Sequence, residues 1–133
     1  MCGIIGYIGK REASKILIGG LRRLEYRGYD SAGICTIESD DLKTTKCIGK
    51  VVELEKNIST NKHKGSIGIG HTRWATHGSP SNINAHPHYD NKKDFSLIHN
   101  GIIENYLPLK KFLEQKGVNF NTQTDSEVLI QFI

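Results

Sequence analysis

Three cysteines, three prolines and no long apolar run set the first limits on this 133-residue sequence. Cys2, Cys35 and Cys47 form no CxxC pair, and an odd count does not close a disulfide framework, so a reducing compartment is expected. No stretch approaches the length of a membrane-spanning helix. No basic segment precedes Cys2, and Gly3, Gly6 and Gly9 interrupt the apolar opening. A secretory leader is therefore not expected, and the expected location is cytoplasmic. The formal charge is +4, yet the basic residues fall in scattered short pairs such as Lys10-Arg11, Arg22-Arg23 and Lys92-Lys93. No basic stripe interleaved with aromatics and no GxGxxG or P-loop string occurs, so neither nucleic acid nor a membrane is an expected partner.

Metal ligation is also weakly supported. His71, His77, His86 and His88 are close in sequence, but the His-Pro-His spacing does not put both rings on one helix face. No cysteine or carboxylate completes a tetrahedral set there, and no metal or other cofactor is expected.

What the sequence does have is glycine, 14 residues of it, and a clear alternation of strands and helices. Gly3 to Gly9 reads as a short buried strand. Ala13, Ile16, Leu17, Leu21 and Leu24 recur at helical spacing, and Gly28 lies just beyond as a stop. Ser31 to Glu38 and Leu42 to Ile48 read as a hairpin turning at Ser39-Asp40-Asp41. A short helix is expected over Val51 to Ile58, then a strand from Ser66 to Trp74. Ala75 to Lys93 has little periodicity and much His, Trp, Asn and Thr, the signature of a functional loop. Phe95 to His99 reads as another buried strand ending at Asn100-Gly101. A helix follows over about Asn105 to Lys116, with Leu109, Phe112 and Leu113 inward and Gly117 as its stop. Thr124 and Glu127 form a capping box that opens a last, strongly apolar helix. That helix reaches the final residue without a cap, so the domain is expected to continue past it.

Four stretches carry complementary chemistry. If Met1 is removed, Cys2 becomes a leading residue with a thiol and a free α-amine on one carbon. A thiol is mostly protonated at neutral pH, and an α-amine is a base able to take its proton. The plainer reading of Cys2 is a small residue packed in the first strand. Arg73 can hold a carboxylate bidentately or serve as a surface ion-pair partner. Asn100 with the Gly101 N–H can form an oxyanion hole or a hairpin turn. Asp125 can hold an ammonium or merely favour a helix start. Taken together, the functional alternatives describe hydrolysis of the side-chain amide of a free amino acid, with Trp74 lidding the pocket.

The strings MCGIIGYIG, LRRLEYRGYDSAG, GHTRWATHG, NAHPH, HNGIIEN and TDSEV run from residue 1 almost to the end. In these the chain resembles the glutaminase domain of the N-terminal-nucleophile, or type 2, glutamine amidotransferases, nearest to the glucosamine-6-phosphate synthase branch. The resemblance implies an α+β fold, the four-layer αββα sandwich of N-terminal-nucleophile hydrolases, with residues 1–133 a partial domain incomplete at its C-terminal end. It implies Cys2 as nucleophile with its own α-amine as base, and Asn100 and Gly101 as the oxyanion hole. Arg73, Thr76 and His77 would hold the glutamine α-carboxylate, and Asp125 the α-ammonium. Trp74 would belong to a mobile loop over bound L-glutamine, Arg27 would position the nucleophile, and His86 would lie beside the pocket. The resemblance to that branch implies hydrolysis of glutamine through a γ-glutamyl thioester, with ammonia passed to an isomerase domain that binds fructose 6-phosphate, in a full-length chain expected to be a homodimer. The alternative is the glutaminase part of another amidotransferase, such as amidophosphoribosyltransferase.

Overall fold

The computed structural model describes all 133 residues, Met1–Ile133. Its centre is a four-stranded antiparallel sheet in the order β1-β4-β2-β3, built from β1 (Gly3–Ile8), β2 (Ser31–Glu38), β3 (Asp41–Ile48) and β4 (Ile67–Arg73). Helix α1 (Ala13–Leu24) carries the chain from β1 over β4 to β2, and α2 (Val51–Thr60) carries it from β3 over β2 to β4. Both helices lie on one face. Their apolar stripes enclose a core of Leu17, Leu21, Val51 and Leu54 against Ala32 and Ile34. Leu17 and Leu21 are wholly buried, and such burial contributes about 1.5–3 kcal/mol per side chain.

Two glycines of β4 decide how closely α1 can approach. A Cβ on Gly68 would lie 2.9 Å from the Leu17 Cδ1, and one on Gly70 would lie 3.1 Å from the Leu21 Cδ1. The alternating glycines of GSIGIGH thus make room for leucines.

The opposite face of the sheet carries a second, thinner β layer. It is a two-stranded antiparallel ribbon of β5 (His88–Tyr89) and β6 (Ser96–Leu97). Outside it lie α3 (Tyr106–Gln115) and α4 (Asp125–Phe132), which pack on each other and, through α4, on the ribbon. The layers run helix, sheet, ribbon, helix, the expected α+β αββα order. The two β layers meet where Gly33 faces the segment before β5: a Cβ there would lie 2.1 Å from the His86 carbonyl oxygen.

Most expected elements are present, with three local differences. The expected buried strand at Phe95 to His99 shrinks to Ser96–Leu97, and the Phe95 side chain is more than half exposed, because its ribbon pairs only with His88 and Tyr89. Phe112 of α3 is likewise exposed, and Leu113 alone of that helix is buried. Gly28 does follow the helical segment, after a single 3₁₀ turn over Glu25–Arg27, but in extended backbone. Glycine is needed there for space: a Cβ would meet the Arg73 carbonyl carbon at 2.6 Å. Gly117, by contrast, sits at φ +86° and closes α3 with bonds from its own N–H to Glu114 and from the Val118 N–H to Leu113.

Candidate active site

Strand β1 starts at Gly3, so Cys2 lies at the sheet's end beside the last residues of β4. Gly3 is fixed there by its N–H, which donates to the buried Thr72 hydroxyl at 3.1 Å. A side chain on Gly3 is excluded, since a Cβ would fall 2.5 Å from that hydroxyl and 2.6 Å from the Leu24 Cβ. The Trp74 N–H donates to the Cys2 sulfur at 3.3 Å, and the thiol faces the Trp74 carbonyl at 3.7 Å. The Cys2 nitrogen donates to the Asn100 Oδ1 at 3.4 Å.

These atoms border a cavity of about 240 Å³ whose walls include Cys2, Arg73, Trp74, Thr76, His77, His86, Asn100, Gly101 and Asp125. Every candidate site residue but Arg27 is among them. Arg27 lies in an adjoining groove with Cys2 and Asn100, and its Nη2 reaches the Met1 sulfur at 3.7 Å. Its Nε is buried without a hydrogen-bond partner.

Arg73 ends β4 and is almost wholly buried. Its guanidinium donates to the carbonyls of His77, Gly78 and Ser79, curling the loop after β4 around the cation. These bonds use three of its five N–H donors and leave two. Burial lowers its pKa, and the nearby Asp30, Cys2 and Asp125 oppose that shift. Gly78, at φ +75°, makes the turn.

Asp125 opens α4 and is buried. One carboxylate oxygen accepts the Ile103 N–H at 2.7 Å, which ties down the loop carrying Asn100 and Gly101. The other lies 3.6 Å from Nδ1 of His77, in the loop that wraps Arg73. The helix start is capped as expected on one side only. Thr124 Oγ1 accepts the Glu127 N–H at 3.3 Å, but the Glu127 carboxylate accepts from Asn121 and Thr122 instead of closing the box onto Thr124. Thr124 satisfies its own N–H with the Thr122 hydroxyl.

Two groups of residues gained no role from the sequence. His99 supports the Asn100-Gly101 turn from below: its ring bonds the Ser126 hydroxyl at 3.1 Å, its carbonyl faces His71 Nε2 at 3.2 Å, and its N–H donates to His86 Nδ1 at 3.4 Å. A Cβ on Gly101 would sit 2.9 Å from the His99 ring, so that turn has no room for a side chain. His71 stacks on His86 at 4.2 Å between centroids, and His86 contacts His88 edge-on at 4.4 Å. Burial lowers all three pKa values, His71 to about 4 and His88 to about 3. They are neutral packing and hydrogen-bonding groups at ordinary pH. The other missed group is Asp30, whose carboxylate accepts from the Ala75 N–H and the Ser31 hydroxyl and so anchors the chain just after Trp74. Nothing in local periodicity marks either group, because each acts across the sheet.

The Trp74 ring is half exposed and meets Tyr29 edge-on at 5.9 Å. Its backbone, not its indole, is what touches Cys2.

The layered α+β fold defines a class that comparison with known proteins bears out. The profile of the glutamine amidotransferase domain matches residues 55–133, and the chain belongs to that family. Among curated relatives it is 58% identical over its whole length to the glutamine–fructose-6-phosphate aminotransferase (isomerizing) of Bacteroides thetaiotaomicron, and 55% identical to that of Clostridium tetani. It spans 22% of the length of each. A solved structure of glutamine phosphoribosylpyrophosphate amidotransferase from B. subtilis superposes with a TM-score of 0.84 at 35% identity, covering 98% of this chain and 28% of that one.

Proposed function

We propose that residues 1–133 are the leading part of a glutaminase domain that releases ammonia from L-glutamine for use by an attached isomerase domain. The observation that carries the reading is the convergence of Cys2, Asn100, Arg73 and Asp125 on one cavity from four separate stretches of sequence. Removal of Met1 leaves the Cys2 nitrogen as a primary amine beside the Asn100 amide. That amine takes the thiol proton, and the sulfur attacks the side-chain amide carbon of glutamine. Negative charge then develops on the amide oxygen, where the Asn100 side chain and the Gly101 N–H serve as donors. The amine returns its proton to the departing nitrogen, ammonia leaves, and a γ-glutamyl thioester remains on Cys2. Water hydrolyses the thioester to glutamate and regenerates the thiol.

Substrate selection follows from charge. The two uncommitted Arg73 donors, with Thr76 and His77, receive the α-carboxylate, and Asp125 receives the α-ammonium. Trp74 covers the site, Arg27 positions the leading residue, and His86 backs the pocket. No cofactor takes part.

In the whole protein, ammonia aminates fructose 6-phosphate to give glucosamine 6-phosphate in the isomerase domain, in a cytoplasmic homodimer. The 55% and 58% identity to the aminotransferase relatives favours this acceptor. The second reading, transfer to phosphoribosyl pyrophosphate, draws on the structural neighbour at 35% identity. An assay of the full-length protein separates them. Glutamine with fructose 6-phosphate is expected to yield glutamate and glucosamine 6-phosphate. Product formation only with phosphoribosyl pyrophosphate would favour the second reading, and failure to release glutamate under either condition would overturn both. No helix here is long and apolar enough to cross a membrane.

A further inference from the structure

Asn84 does not border the cavity, yet it bonds to both halves of its amino-acid recognition. It sits in the loop before β5 and is nearly wholly buried. Its Nδ2 donates to the Ser79 carbonyl at 2.9 Å, and that carbonyl also accepts from Arg73 Nη1 at 3.3 Å. The same Nδ2 donates to the Gln123 Oε1 at 3.1 Å, while its Oδ1 accepts the Gln123 N–H at 2.9 Å. Gln123 precedes Thr124, the cap of α4, and α4 begins at Asp125. One amide therefore joins the loop that wraps Arg73 to the turn that presents Asp125. Packing around this joint is tight: a Cβ on Gly78 would lie 2.7 Å from Asn84 Nδ2 and 2.9 Å from the Gln123 Cβ.

Resting on the glutaminase reading above, we infer that Asn84 is a positioning residue that sets the separation between the Arg73 guanidinium and the Asp125 carboxylate, and so selects a free α-amino acid of fixed charge spacing. A side-chain amide suits the task because it offers donors and an acceptor at once. Asparagine supplies the Ser79 carbonyl and the Gln123 side chain with N–H groups, and the Gln123 N–H with an oxygen. Aspartate at the same place keeps the oxygen for Gln123 but faces the Ser79 carbonyl and Gln123 Oε1 with a second oxygen. Cys2, Asn100 and Gly101 share no hydrogen bond with Asn84, so the chemical step is spared.

The test uses the full-length protein with Asn84→Asp and, as a milder change from the exposed partner, Gln123→Ala. Loss of one or two net hydrogen bonds at the joint corresponds to about a 3- to 30-fold change. For Asn84→Asp, KM for glutamine is expected to rise by about tenfold or more while kcat stays within about threefold. Labelling of Cys2 by a diazoketone analogue of glutamine slows by the same factor as KM, whereas alkylation of Cys2 by iodoacetamide, which needs neither charged group, keeps the wild-type rate. Gln123→Ala raises KM by about threefold with kcat unchanged, and it decides the matter if Asn84→Asp fails to fold. An unchanged KM in Gln123→Ala with wild-type KM in Asn84→Asp, or a fall confined to kcat, would overturn the role of Asn84. Wild-type protein that neither hydrolyses glutamine nor takes the analogue on Cys2 would overturn the underlying glutaminase reading instead.

Discussion

The Cys2 nitrogen lies 3.4 Å from the Asn100 Oδ1, joining residues 98 positions apart in the chain. A backbone nitrogen at the edge of the first strand thereby meets a side chain from the turn after β6. The sulfur on the same residue contacts the backbone of Trp74. The site is thus held by the ends of strands, and its exposed loops are tied back by Arg73, Asp30 and Asp125.

Gly3 tests how closely the leading residue is fixed. Gly3→Ala puts a Cβ within 2.6 Å of both the Thr72 hydroxyl and the Leu24 Cβ, so β1 must shift. Overpacking of this kind costs about 1–3 kcal/mol. Urea unfolding of the variant is expected to show that loss, and its glutaminase kcat is expected to fall at least about tenfold, since a small displacement of a nucleophile is costly. Wild-type kcat in Gly3→Ala would mean that the position of Cys2 is not critical.

Asp125 and Arg73 are expected to respond differently from Cys2. Asp125→Asn keeps an acceptor for the Ile103 N–H but removes the charge that faces the substrate ammonium. A charge-assisted bond is worth about 1.5–3 kcal/mol, so KM for glutamine should rise about 10- to 100-fold. Arg73→Lys loses the forked donor set that holds the carbonyls of His77, Gly78 and Ser79, and is expected to raise KM and lower the melting temperature together. Steady-state kinetics and calorimetry on the full-length variants check both statements.

The histidine column gives a pH dependence with a definite sign. His71, His86 and His88 have pKa values lowered by burial, to about 4 for His71 and about 3 for His88, from 6.5. The unfolded chain therefore binds protons in this range that the folded chain refuses. The stabilisation is complete above pH 6.5 and is lost as pH falls through the window toward 4. Each such histidine contributes a slope of roughly 1.4 kcal/mol per pH unit inside the window. Urea midpoints measured between pH 7 and pH 5 should fall steeply, and less steeply in His88→Gln. A midpoint that is flat over that range would contradict neutral buried rings.

Much of the fold was legible because it is local. The spacing of Leu17, Leu21 and Leu24 gives α1, and the glycine and isoleucine patterns give β1, β2 and β4 within a residue or so. The site residues were legible as chemistry, through the resemblance carried by strings such as GHTRWATHG. What stayed hidden depends on distant partners. Phe95 has the pattern of a buried strand, but the ribbon it enters has one partner strand, so the ring is exposed. Glu127 has the spacing of a capping box, yet it turns to the N–H groups of Asn121 and Thr122 in the turn just before the helix, because the Thr122 hydroxyl already serves the Thr124 N–H. Gly28 reads as a helix stop, and its actual reason is the Arg73 backbone pressed against it. His99 and Asp30 support the loops of the site from positions that no periodicity marks.

The most direct test of the account is peptide mapping of the full-length protein after treatment with the diazoketone analogue of glutamine. Cys35 and Cys47 are buried, and burial pushes the Cys47 thiol up to about 11, so neither competes as a nucleophile. The account predicts a single adduct, on Cys2, in a chain that has lost Met1 and no longer hydrolyses glutamine. Adducts shared among the three cysteines, or full glutaminase activity in a chain that retains Met1, would contradict it.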